Sequence, residues 1–223
     1  MVMNKEEILE ELRSTLSGKT FDALLPPIIF ALINAFFDLT LATGAAFVIA
    51  AFLGFFRFFK KQNWFYALGG FLAVSLAASF AYFTGSAANY FVGSLVSSAF
   101  LFLVAFVSLV TGKPLAAWLS HLTRGWPLDW FLRKDVKPAY REVTIVWTVL
   151  LFFRFFIRLI FFQRGSATEL AFVNTLSGWP MIVPVLVLSY IYGIWRLKKL
   201  KGPGVEEYQR GDQPPWKGQT RGF

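Results

Sequence analysis

Six stretches of mostly apolar residues run through this chain, and they leave little choice of fold. They lie near residues 21–37, 39–59, 64–83, 88–110, 143–162 and 170–195. A helix needs about 20 such residues to cross the hydrocarbon core of a bilayer. Inside that core every backbone N–H and C=O must be satisfied within the protein, so each stretch is expected to be a helix. The expected class is therefore all-α: a polytopic membrane helix bundle of six transmembrane helices. Before it, Ile8, Leu9, Leu12 and Leu16 recur at helical spacing and predict an amphipathic N-terminal helix over 1–19. The six-helix membrane domain occupies 20–200. The Gly- and Pro-rich polar residues of 201–223 predict a mobile C-terminal tail.

The positive charges orient these spans. Nineteen of the 22 Lys and Arg fall in the N-terminal segment, the second-to-third and fourth-to-fifth connections, and the C-terminal segment. The opposite connections carry only Arg164, and two more arginines lie inside the fifth span. Basic residues are retained on the cytoplasmic side, so both termini are expected in the cytoplasm. The net charge of +9 then describes a surface facing anionic lipid headgroups rather than nucleic acid. A soluble domain is about one quarter charged; this chain is 16% charged and 56% hydrophobic.

The fourth-to-fifth connection is too long for a turn. Between 113 and 140 it interleaves Trp118, Trp126 and Trp130 with Arg124, Arg133 and Lys134. Tryptophan favours the headgroup level and cations favour the anionic leaflet, so these six are expected as lipid-headgroup contacts on one or two interfacial helices. Gly125-Trp126-Pro127 should break the segment.

Arg154 and Arg158 interrupt the fifth span four residues apart. A cation at that depth is costly and takes a partner or lines a functional path. Asn34 and Asp38 repeat the same spacing on the first span. Two helices rising in the same direction would bring Asn34 to Arg154 and Asp38 to Arg158, as a structural ladder or an anion site. In the sixth span Pro180 and Pro184 follow Ser177-Gly178, which predicts kinks. Gly70, Ala73, Ala77 and Ala81 predict a small-residue packing face on the third span.

Chemistry has few candidates. There are no cysteines and one histidine, His121, so disulfides, thiol catalysis and histidine metal sites are not expected. No HExxH, no Gly-rich phosphate loop and no metal-spaced carboxylate pair occurs. The expectation is no enzyme and no cofactor.

Four stretches resemble a known family. ALLPPIIFALINAFFDLTLA, AYFTGSAANYFVGSLVSSA, DWFLRKDVKPAYREVTIVWTVLLFFRFFIRL and GWPMIVPVLVLSYIY resemble, in order and spacing, the bacterial membrane family known as domain of unknown function 3159. The likeness runs from about Ser17 to Leu200. A more distant likeness is to the intracellular septation protein A family. The resemblance implies a multi-pass bacterial inner-membrane protein and carries no activity. The expected role is a structural or accessory subunit, or an assembly factor, of a membrane complex or the cell envelope. Its expected partners are membrane lipids and other membrane proteins or a second copy. The alternative is a small anion transporter or channel using Arg154 and Arg158.

Overall fold

The computed structural model describes residues 19–59, 64–219 and 222–223. The amphipathic helix expected over 1–19 lies outside the described residues, apart from Lys19. Regular structure in the described residues is helical: α1 (Lys19–Phe36), α2 (Leu39–Phe59), α3 (Trp64–Thr84), a 3-10 turn (Ala87–Phe91) running into α4 (Val92–Val110), α5 (Leu115–Arg124), α6 (Leu128–Phe131), α7 (Lys137–Gln163), α8 (Ala167–Leu176), α9 (Trp179–Leu200) and α10 (Val205–Arg210). By length and composition, four stretches are able to cross a membrane: Leu39–Phe56, Ala87–Val110, Lys137–Gln163 and Ala167–Leu200. Leu25–Phe36 and Leu68–Thr84 are shorter apolar helices.

The last apolar stretch is not one rod. The Ser177 N–H closes α8 on the Val173 carbonyl at 2.9 Å, and the Gly178 N–H turns back to Thr175. α9 then restarts at Trp179, so Pro180 stands in its first turn. A first-turn proline has no helical hydrogen bond to lose. Of the two kinks expected here, only Pro184 lies inside the helix.

The chain forms two compact units. One contains the described residues up to Ser97 together with Phe156–Pro180. Here α2 packs against α1 and α3, and α8 packs against α1. The core is built largely on alanine: Ala42 and Ala46 on α2, and Ala78 and Ala81 on α3. Small side chains let apolar helices approach closely, which is what holds them together once water no longer drives burial. The face expected on α3 is rotated, because Gly70 and Ala73 are exposed while Ala78 is buried. Phe30 is buried at the centre, stacked on Tyr90 with centroids 4.1 Å apart.

The other unit contains Ser98–Phe155 and Met181–Phe223. Its core is aromatic. Trp130 and Phe131 of α6 meet Tyr140 of α7, with Phe131 and Tyr140 centroids 4.9 Å apart. The break between α5 and α6 falls at Gly125, whose left-handed φ of 67° ends α5. His121 fixes the next residue by donating from Nδ1 to the Trp126 carbonyl at 2.6 Å.

Residues of the segment expected as a mobile tail pack into this unit. Residues Gly202–Val205 are buried, and Phe223 stacks on Tyr140 within the same core. Glycine here serves close approach rather than freedom. A Cβ on Gly202 would lie 2.7 Å from the Asp135 carbonyl oxygen, and one on Gly204 would lie 2.6 Å from that of Gly218.

Candidate functional site

Arg158 is the buried charge of the first unit. It is 3% exposed, on the part of α7 that faces α4 and α8. Nη1 donates to the Ser94 carbonyl and Nη2 to Ser177 Oγ, each at 3.1 Å. Ser94 Oγ accepts from Asn174 Nδ2 at 3.1 Å, and Asn174 Oδ1 is buried with no partner among the described residues. The sequence makes this geometry possible. The α8–α9 break puts Ser177 outside regular helix, so its hydroxyl turns to the guanidinium. The result is a cation set among neutral oxygens and an amide, chemistry suited to a small anion or to locking helices together.

The expected ladder is rearranged. Asp38 is exposed and caps α2, its Oδ1 accepting the Leu41 N–H at 2.7 Å. The two-residue α1–α2 corner demands that cap, because the first N–H groups of a helix have no internal partner. Among the described residues no Asp38–Arg158 ion pair forms, and Asp38 is not the rung it was expected to be. Asn34 is half-buried on α1. Arg154, one turn before Arg158, is half-buried with its Nε unbonded among the described residues.

The six expected headgroup contacts separate into two kinds. Trp130 is corrected outright: it is fully buried, and its Nε1–H donates to the Pro203 carbonyl at 2.9 Å. Arg133 is half-buried and bidentate with Asp135 at 2.9 and 2.8 Å, over the rings of Tyr208 and Trp216. Its hydrogen bonds to the Asp135 carboxylate hold the guanidinium above its ordinary pKa. Trp118 and Trp126 are half-buried, while Arg124 and Lys134 are exposed. The Arg124 guanidinium lies over the Trp126 ring at 4.8 Å.

Two polar arrangements had no sequence signal strong enough to find them. Glu142 lies beyond the first turn of α7, because that helix begins at Lys137. It accepts from Nε and Nη2 of Arg196 at 2.8 Å and from the Tyr192 hydroxyl at 2.7 Å. Tyr192 and Arg196 are four apart on α9, which is the one legible hint. Glu207 accepts the N–H groups of Gly204, Lys217 and Gly218. Those bonds, led by that of Gly204, hold its carboxyl below the usual carboxylate range.

Several long apolar helices, alanine seams between them and a buried guanidinium define an integral multi-pass membrane protein. Residues 18–199 match the family described as Protein of unknown function (DUF3159), and the chain belongs to that family. The more distant likeness to septation protein A finds no support. No curated protein and no solved structure matches the chain.

Proposed function

We propose that this protein is a six-span inner-membrane protein with both termini cytoplasmic, acting as a structural or accessory subunit or assembly factor. The observation that carries this reading is the apolar surface the helices leave uncovered. Phe83 is 84% exposed, Phe36 79% and Leu76 71%. Such surface requires lipid or partner helices around it. The carboxylates of Asp38, Asp135, Glu142 and Glu207 point the same way, since each serves the fold. The first caps α2, the next two pair with arginines, and the last gathers backbone N–H groups.

Two measurements test it. The chain has no cysteine, so single cysteines placed at Asp38 and Lys199 report sidedness without background. The Lys199→Cys thiol should react with an impermeant maleimide only from the cytoplasmic side and the Asp38→Cys thiol only from the other. Extraction from native membrane in mild detergent should give a defined particle larger than the monomer. A monomer that leaves the membrane alone would overturn the accessory role.

Anion passage is the second reading, favoured by the burial of Arg158 beside the Asn174 amide and the α8–α9 break. It requires anion flux in proteoliposomes that Arg158→Gln abolishes. Equal flux in the variant would sink it.

A further inference from the structure

The second unit holds a cleft of about 240 Å³ whose lining includes neither Arg154 nor Arg158. Helix α5 forms one wall with Leu119, Ser120 and Arg124, and α9 forms the other with Leu186 and Ser189. Phe223 forms part of its lining, held in place by its stack on Tyr140.

Its chemistry is divided. Leu119 and Leu186 are 41% and 45% exposed and present a greasy mouth. The polar side has a cation and two hydroxyls. Ser189 is 8% exposed; its Oγ accepts from Trp147 Nε1 at 2.8 Å, and among the described residues its own O–H donates to nothing. The Ser120 O–H is likewise unused among the described residues, and Arg124 supplies the charge. Beside them the Tyr140 hydroxyl is buried with no partner among the described residues, within the field of Arg124. Unused hydroxyl donors and a guanidinium converging on an apolar-mouthed cleft fit an anion that carries a hydrocarbon chain.

We propose that this cleft is a specific site for one anionic phospholipid. Arg124, Ser120 and Ser189 take the phosphate, and the acyl chains lie along Leu119 and Leu186. Phe223 completes the site. The proposal rests on the membrane reading above, and it deepens the general expectation of headgroup contact into one site with a stoichiometry of one. It does not need the accessory role, whose test is particle size.

Native mass spectrometry of the full chain in detergent tests it. The probes are phosphatidylglycerol and phosphatidylcholine of matched chains, with inorganic phosphate as competitor. The wild-type chain should retain one phosphatidylglycerol in preference to phosphatidylcholine. Arg124→Gln should lower that retention about tenfold, with the thermal midpoint measured alongside to separate lost binding from lost folding, and Ser189→Ala should lower it less. Lys199→Gln, exposed elsewhere on α9, should leave it unchanged. Three results overturn the proposal: equal retention of the two lipids, equal loss in the Lys199 variant, which means diffuse charge attraction, or full displacement by millimolar inorganic phosphate, which means a free-anion site. Sidedness from the cysteine labels is read separately, so a wrong topology and a wrong lipid site give different patterns.

Discussion

The Phe223 ring lies on the Tyr140 ring, centroids 4.2 Å apart and planes 9° from parallel. The stack exists because α9 offers no side chain at Gly193, where a Cβ would run into the Phe223 ring. Gly193→Ala should therefore expel Phe223 from the core. Overpacking of this kind costs about 1–3 kcal/mol. The thermal midpoint should fall and the 202–223 segment should become open to protease. An unchanged midpoint with a protected segment would show that the ring is not held there.

The same segment is tied at its start by Trp130. Its Nε1–H meets the buried Pro203 carbonyl, 73 residues away in sequence. Trp130→Phe keeps a ring in the core but leaves that acceptor without its donor. The cost should be about 1–3 kcal/mol, the range for a buried group left unsatisfied. A melt within error of the wild type would place the bond among the dispensable ones.

These two residues show where sequence reading succeeds and where it stops. The all-helical class came through because about twenty apolar residues in lipid have essentially one backbone solution, although the last stretch is two helices and, among the described residues, four stretches, not six, are long and apolar enough to cross. The α5–α6 break came through because Gly125 and Pro127 each impose a local rule. Burial did not. Trp130 carries the same local signal as Trp126, an indole among basic residues, and only the fold decides which one is covered. The packing of the C-terminal segment was hidden for a related reason. Its glycines and prolines read as freedom, yet Gly202 and Gly204 are there because a neighbouring backbone passes within the space of a Cβ. Composition does not distinguish those two uses of glycine. The Asp38 rung was not legible because the spacing rule predicts which side chains share a face, and says nothing about an α1–α2 corner short enough to claim Asp38 as a cap.

Arg158 gives a third test. Two nitrogens of one planar guanidinium reach Ser94 O on α4 and Ser177 Oγ in the α8–α9 break. Lysine keeps the charge but offers a single point donor on a flexible stem. Arg158→Lys should lose at least one charge-assisted bond, worth about 1.5–3 kcal/mol, and lower the thermal midpoint. Arg164→Lys, at an exposed position, should leave the midpoint where it was. Equal melting of the two variants would mean that the Arg158 bonds do not hold the first unit together.

Glu207 makes the 202–219 segment sensitive to acid. Its carboxylate collects three backbone N–H groups, from Gly204 on one side and from Lys217 and Gly218 on the other. These bonds favour the charged form, so the folded carboxyl titrates below its ordinary value. As pH drops, the unfolded segment takes up its proton first, which pulls the equilibrium toward release. The contribution of Glu207 is thus complete above the ordinary carboxylate range and disappears as pH falls through the lowered folded value. The Trp216 indole resonance reports this, because its Nε1–H is bonded to the Asp212 carbonyl in the same segment. In the wild type that resonance should shift to its released position in acid. In Glu207→Gln the segment should be looser already at neutral pH, since a neutral amide oxygen binds N–H groups less strongly, and its acid transition should flatten. A transition of the same midpoint and size in both proteins would assign the acid response to another carboxylate.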